Sequence, residues 1–271
     1  MTPKTIDALI EAARTAGRCE IMPRFRQLDP GTIETKTGPS DLVTMADQAA
    51  ELSIAAAAQD ILPGALIVGE EEVETKPELL DQIADAPSAL IIDPIDGTWN
   101  YANGVPAFGT ILAVTAHGET VFGLIYDPVN DDWIAAEKGS GAWSGRERSA
   151  IWRAPVPPRL SGFVPANYFP APIGEKLWKT CPAFDLVFDV GCSAYEYRLL
   201  AQHSVAFNLA ASLKPWDHAA GVLITQELGG KSMLLSGKPY KPGMKEGVLL
   251  SAISPDLFDR VEQIVSPAFQ T

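Results

Sequence analysis

Four separated segments place carboxylates beside turn-forming or helix-starting residues: Asp41 and Asp47, Glu70 and Glu71, Asp93 and Asp96, and Asp217. If they converge they require a cation, because two carboxylates about 4 Å apart repel by roughly 4 kcal/mol at an effective dielectric near 20. Oxygen donors without clustered His or Cys suit a hard ion such as Mg²⁺. Asp93 and Asp96 form the most specific pair. Pro94 stiffens the turn between them and offers no N–H, so two carboxylates three positions apart can face one ion. Gly97 and Thr98 follow, where backbone amides at a helix start attract an anion such as phosphate, and the Thr98 hydroxyl can hold a water. Taken alone, residues 93–98 also read as a turn with an N-capping Asp or Thr.

These residues need elements to position them. Ile6, Leu9, Ile10, Ala13 and Gly17 recur at helical spacing up to about Phe25, and Asp29-Pro30-Gly31 stops that helix. A second helix is expected from about Thr44 to Ile61, ended by Pro63-Gly64, followed by a short buried strand over Ala65 to Val68 that ends at Gly69-Glu70-Glu71. The apolar run Ala89 to Ile92 reads as a strand that Pro94 and Gly97 forbid to continue simply. Gly109 to Ala116 and Thr120 to Tyr126 flank His117-Gly118-Glu119 as a hairpin, and Trp133 to Ala136 adds a strand. The stretch Gly139 to Pro172 is rich in Gly, Pro and Ser and suggests a lobe boundary or surface loops. Helices follow near Ile173 to Lys179, Ala194 to Gln202 and Asp217 to Leu228, with strands at Val205 to Leu209, Lys231 to Leu235 and Gly247 to Ser251. This alternation favours layered α and β structure.

The string Asp93-Pro94-Ile95-Asp96-Gly97-Thr98-Trp99-Asn100-Tyr101, preceded by Gly69-Glu70-Glu71 and followed by Trp216-Asp217-His218-Ala219-Ala220-Gly221, resembles the inositol monophosphatase family. Lys36 with Asp41-Leu42-Val43-Thr44-Met45-Ala46-Asp47 resembles it too, so the likeness covers nearly the whole chain in order. It implies one α/β unit, an alternating α/β/α/β/α sandwich of the inositol monophosphatase and fructose-1,6-bisphosphatase type. The N-terminal lobe, about 1–145, would carry most metal ligands, and the C-terminal lobe, about 146–271, Asp217 and the substrate side. It also implies a homodimeric, lithium-sensitive phosphomonoesterase using two or three Mg²⁺ ions and direct in-line attack of water. By resemblance, Glu70, Asp93 and the carbonyl of Ile95 hold the first ion; Asp93, Asp96 and Asp217 hold the second; a third leans on Glu70. Thr98 and Asp47 orient and deprotonate the water, the Gly97 and Thr98 amides bind phosphate, and Glu71, Lys36 and Asp41 support the site. Paired metals suit this reaction, since phosphate monoester hydrolysis is among the slowest uncatalysed reactions.

The departures concern the substrate. The family's polyol-binding Glu, seven positions before the Asp of the Trp-Asp pair, is Ala210 here, with Asn208 the nearest polar residue. Trp99 stands where a smaller residue is expected, and Ser193 and Glu196 are candidate sugar or amine contacts. The expected substrate is a small phosphate monoester resembling inositol monophosphate. Histidinol phosphate, fructose 1,6-bisphosphate and 3′-phosphoadenosine 5′-phosphate are the family alternatives, and a catalytically silent metal-binding regulator is the competing class. His218 follows Asp217, but the next side chain on a helix points about 100° away, so a packing or supporting role is expected. His117 and His203 carry no functional expectation, and Trp216 is expected as a packing anchor. Trp143, Trp152, Tyr168 and Phe169 read as a substrate lid or as core.

Composition narrows the partners. With 21 Lys and Arg against 34 Asp and Glu the formal net charge is −13, which disfavours nucleic acid and acidic membrane surfaces. Cys19, Cys181 and Cys192 fit neither a disulfide framework nor a zinc site. No window approaches a membrane span, and Lys4, Asp7, Glu11 and Arg14 interrupt any signal-peptide core. A cytoplasmic protein acting on a small phosphorylated metabolite is expected.

Overall fold

The computed structural model describes residues 1–27, 33–35, 42–145, 148–154 and 159–270. Helix α1 (Pro3–Ala16) starts on Thr2, whose side chain accepts from the Thr5 amide, and runs on through a π-helical turn at Gly17–Ile21. Two short strands, β1 (Ile33–Thr35) and β2 (Leu42–Thr44), pair antiparallel. Lys36 and Asp41, between them, lie outside the described residues. Helix α2 (Met45–Ile61) is opened by a capping box: the Thr44 side chain accepts from a helix amide, and Asp47 accepts from the Thr44 amide.

The six-stranded sheet follows: β3 (Leu66–Gly69), β4 (Ser88–Asp96), β5 (Gly109–Ala116), β6 (Glu119–Asp127), β7 (Asp132–Glu137) and β8 (Gly141–Ser144), side by side in that order. The first pair is parallel and the rest antiparallel. Helix α3 (Glu70–Thr75) starts where β3 ends, α4 (Leu79–Gln82) precedes β4, and α5 (Thr98–Ala102) follows it. The second sheet takes the order β10 (Leu186–Phe188), β9 (Ser161–Phe163), β11 (Phe207–Ala210), β13 (Leu249–Ala252), β12 (Lys231–Leu234). Helices α6 (Ile173–Thr180), α7 (Ser193–Ala201), α8 (Pro215–Glu227) and α9 (Pro255–Val265) complete the chain.

Side-chain alternation sorts the core into layers. Leu90, Ile92, Leu112 and Phe122 point from the large sheet toward α1 and α2. Ile91, Ile111, Ala113 and Ile125 point the other way, onto Tyr197 of α7 and Ala220 and Ile224 of α8, which the second sheet covers through Leu234 and Leu249. Phe207, Leu250 and Ala252 on that sheet's outer face pack against Leu177 of α6 and Phe258 and Val261 of α9. The order is therefore helices, sheet, helices, sheet, helices: a mixed α/β layered fold. Sheets covered on both faces require continuous apolar strands, which is why 89–92 and 109–116 read as uninterrupted runs.

Two expectations are revised. Strand β4 does not stop at Ile92 but runs through Pro94 to Asp96, because its register against β5 shifts between Asp93 and Asp96. A bulge absorbs the proline, and the Thr110 hydroxyl donates to the Pro94 carbonyl at 2.9 Å. The four aromatics of the middle segment do not form one cluster: Trp143 is buried, Phe169 meets Phe269 edge to face, and Trp152 and Tyr168 are exposed. No helix among the described residues is long and apolar enough to cross a membrane.

Candidate metal centre and adjoining cavity

Gly69 pairs with Ile92 across the parallel strands, so Glu70 emerges beside Asp93. Asp93 and Asp96 flank the β4 bulge, and Asp217 enters from the first turn of α8, which packs against β4, β5 and β6. One carboxylate oxygen each from Asp93, Asp96 and Asp217 lies within 4.8 Å of the others. Burial pushes the Asp93 carboxyl well above its ordinary range, and the charges of Glu70, Asp96 and Asp217 push it further. Its buried Oδ1 has no hydrogen-bond partner among the described residues. A buried, crowded set of hard oxygens with an unpartnered atom fits a divalent cation such as Mg²⁺.

Asp96 is held from the other side by α7. Its carboxylate accepts from the Ala194 amide and from the Cys192 thiol, the latter at 3.1 Å. Burial nevertheless raises it to about 6. Gly97 turns the chain with φ 85° and ψ 38°, and a Cβ there would meet the Ala107 carbonyl and Cys192 at 3.0 Å, so only glycine fits. The turn presents the Thr98 hydroxyl 3.0 Å from the Ile95 carbonyl and 3.2 Å from Asp47 Oδ1. The other oxygen of Asp47 accepts from the Thr44 amide at 2.8 Å and hydroxyl at 2.6 Å. Burial raises Asp47 to about 7 against those hydrogen bonds, with Glu71 and Glu70 adding negative charge nearby.

A cavity of about 420 Å³ opens over these groups, lined by Glu70, Asp93, Asp96, Thr98, Lys214 and Asp217 among others. Ile95 and Gly97 also line it, and Trp99 stands at its edge with 46% exposure. An adjoining cavity of about 300 Å³ shares Asp96 and Asp217 and adds Ser193, Glu196 and Ala210. Asn208 is buried and lies outside that lining. His218 is a packing residue with both ring nitrogens engaged, by the Tyr197 hydroxyl at 3.2 Å and the Ser212 carbonyl at 3.0 Å, and burial lowers it to about 4.

Several contributors were not singled out in the sequence. Lys214 Nζ lies 3.6 Å from Glu70 Oε1 and is the cation lining the first cavity among the described residues. Glu51, buried on α2, accepts from the amides of Glu71 at 2.8 Å and Glu72 at 2.9 Å, anchoring α3 and with it Glu70. Asn100 donates to the carbonyls of Ala107 at 2.9 Å and Val190 at 2.8 Å, tying α5 to the loop before α7. Only Lys214 carried a signal, one position before the Pro215-Trp216-Asp217 helix start; the others depend on contacts between distant segments.

Comparison with known proteins agrees with this geometry. The profile of the inositol monophosphatase family matches residues 3–266. The inositol-1-monophosphatase of Bacillus subtilis is 30% identical over 219 residues, 77% of this chain and 78% of that one. The fructose-1,6-bisphosphatase/inositol-1-monophosphatase of Thermotoga maritima is 28% identical across 96% of this chain and 95% of its own. The Nus factor SuhB of Escherichia coli is 28% identical over 83% of each chain. Among solved structures, a Thermotoga maritima IMPase superposes with a TM-score of 0.79 at 26% identity, covering 97% of both chains. By sequence, fold and the order of its acidic segments, the chain belongs to the inositol monophosphatase family.

Proposed function

We propose that this protein is a Mg²⁺-dependent phosphatase that hydrolyses a small phosphate monoester by direct in-line attack of water. The observation that carries the reading is the convergence of Asp93, Asp96 and Asp217 within 4.8 Å, next to the Thr98 and Asp47 pair. Glu70, Asp93 and the Ile95 carbonyl would hold one ion, and Asp93, Asp96 and Asp217 a second, with Glu70 available to a third. Bound there, the ions supply positive charge to the phosphoryl oxygens and the leaving alkoxide.

The chain's own groups do the rest. The Thr98 hydroxyl, fixed between Asp47 and the Ile95 carbonyl, orients the water. Asp47, raised to about 7, is matched to take its proton near neutral pH. The turn at Gly97 brings the backbone amides of Gly97 and Thr98 toward the phosphate, and Glu71 adds negative charge beside Asp47.

Phosphate release from inositol 1-phosphate, histidinol phosphate, fructose 1,6-bisphosphate and 3′-phosphoadenosine 5′-phosphate, with Mg²⁺ and with a chelator, tests the reading. Mg²⁺-dependent release from at least one ester, inhibited by lithium, is expected. Asp93→Asn should abolish it while circular dichroism stays unchanged. No release from any ester would overturn the assignment in favour of a non-catalytic metal-binding protein.

A further inference from the structure

The adjoining cavity has a chemistry of its own. Beyond the shared Asp96 and Asp217 it is walled by Tyr168, Asp189, Ser193 and Glu196, and no Lys or Arg is among its described lining residues. Lys214, the cation of the first cavity, sits at the Glu70 end instead. The Tyr168 ring, 58% exposed, lines both cavities. Its phenol is raised by burial and by the charges of Asp189 and Glu196, so the three groups are close neighbours. Burial, then Asp96 and Asp189, hold the Glu196 carboxyl well above its ordinary range.

A second observation comes from behind Glu196. Asn208 is 2% exposed, and both its side-chain amide atoms lack a hydrogen-bond partner of normal geometry among the described residues. The amide lies near enough to Glu196 to stabilise its ionised form. A buried amide left unsatisfied is costly, and the Glu196 carboxyl is the acceptor beside it.

We propose that this cavity is the leaving-group subsite and that Glu196, Asp189 and the face of Tyr168 select phosphate esters whose alcohol carries a protonated amine. The proposal rests on the phosphatase reading and narrows it. An ammonium can donate to both carboxylates and sit against the aromatic face. It supplies the positive charge that the described lining of this cavity lacks and that a neutral polyol does not bring. Ala210, whose short side chain lines the same cavity, leaves room for the group.

The test is a matched pair, serinol phosphate against glycerol 1-phosphate, which differ only in an ammonium or a hydroxyl at the middle carbon. The amine ester should have a kcat/KM about tenfold or more above its partner, and Asp189→Asn and Glu196→Gln should each bring that ratio toward one. A readout without turnover is calorimetric titration of free serinol and free glycerol into the Mg²⁺-loaded protein. Serinol binding is expected in the parent and lost in both variants, with circular dichroism reporting their folding. Asp189 is exposed, so its substitution keeps the comparison valid should Glu196→Gln fail to fold. Phosphate release with equal or better use of glycerol 1-phosphate would overturn the subsite and leave the phosphatase reading intact. If neither ester nor the broader panel were hydrolysed, the phosphatase reading would fail, and the serinol titration alone would decide the subsite.

Discussion

Asp47 uses its two oxygens differently: one closes the capping box with Thr44, and the other faces Thr98. Thr44 thus holds the carboxylate that the proposed mechanism uses as its base. Removing its hydroxyl while keeping its shape, in Thr44→Val, deletes both the N-cap acceptor and a 2.6 Å bond to Asp47. Loss of an N-cap costs about 1 kcal/mol, or roughly 2–4 °C in Tm for a chain of this class. A similar loss of positioning expressed in the transition state lowers kcat about fivefold. KM for the ester should change little, because the Gly97 and Thr98 amides proposed to bind phosphate are untouched. Thermal melting alongside steady-state kinetics checks both; a KM effect with kcat unchanged would show that Asp47 acts in binding rather than in proton transfer.

The helices and strands bring together groups that are far apart in the chain, and their contacts carry consequences. At Gly69 the end of β3 passes over Glu51 of α2 so closely that a Cβ would lie 2.1 Å from the Glu51 carboxylate carbon. Gly69→Ala must displace that carboxylate from the Glu71 and Glu72 amides it caps. Uncapping the half-buried start of α3 costs roughly 1–3 kcal/mol, so a Tm drop of about 2–12 °C is expected. Weaker Mg²⁺ binding should accompany it, because Glu70 is the first residue of α3; calorimetric melting and a Mg²⁺ titration measure the two effects. The same elements explain what the sequence could disclose. Apolar runs such as Ala89 to Ile92 were readable because both sheet faces are covered, and α2 was readable from Thr44 to Ile61. Helix α9 carried its own start signal in Ser254 and Pro255, with Phe258, Val261 and Val265 on its buried face, yet its segment was left unassigned. Strands β9 and β10 have three residues each, too few for a period. The acidic segments were legible as local strings, whereas the hold of Ala194 and Cys192 on Asp96 depends on packing between residues 96 and 194.

Across the whole molecule, the −13 formal charge includes a set of carboxylates folded into the interior, so stability must depend on pH when no divalent ion is bound. Burial raises Asp47 and Glu51 to about 7, against ordinary values of 3.8 and 4.5. Between those limits the folded state binds more protons than the unfolded chain, and stability falls as pH rises through the interval. His218 works in the opposite sense, because its folded value of about 4 lies below the ordinary value of 6.5. Its contribution to stability is present above the unfolded value and is lost as pH falls toward the folded one. Above about pH 6.5 the histidine contribution is largely constant. Asp93, Asp96 and Glu196 act in the same sense as Asp47 and Glu51, and Asp47 and Glu51 alone set a lower bound on the slope. From about pH 6.5 to 8 they deprotonate inside the folded protein, costing together roughly 1.5 kcal/mol. Melting in chelator should therefore show a Tm about 3–6 °C lower at the higher pH. Saturating Mg²⁺ should raise Tm at both values, and more at about pH 8, where fewer protons compete for the carboxylates around Asp93. A metal-free Tm that rose over this interval would mean that Asp47 and Glu51 are already ionised in the folded protein at about pH 6.5, and Asp47 would then be a weaker base than a group poised near neutral pH.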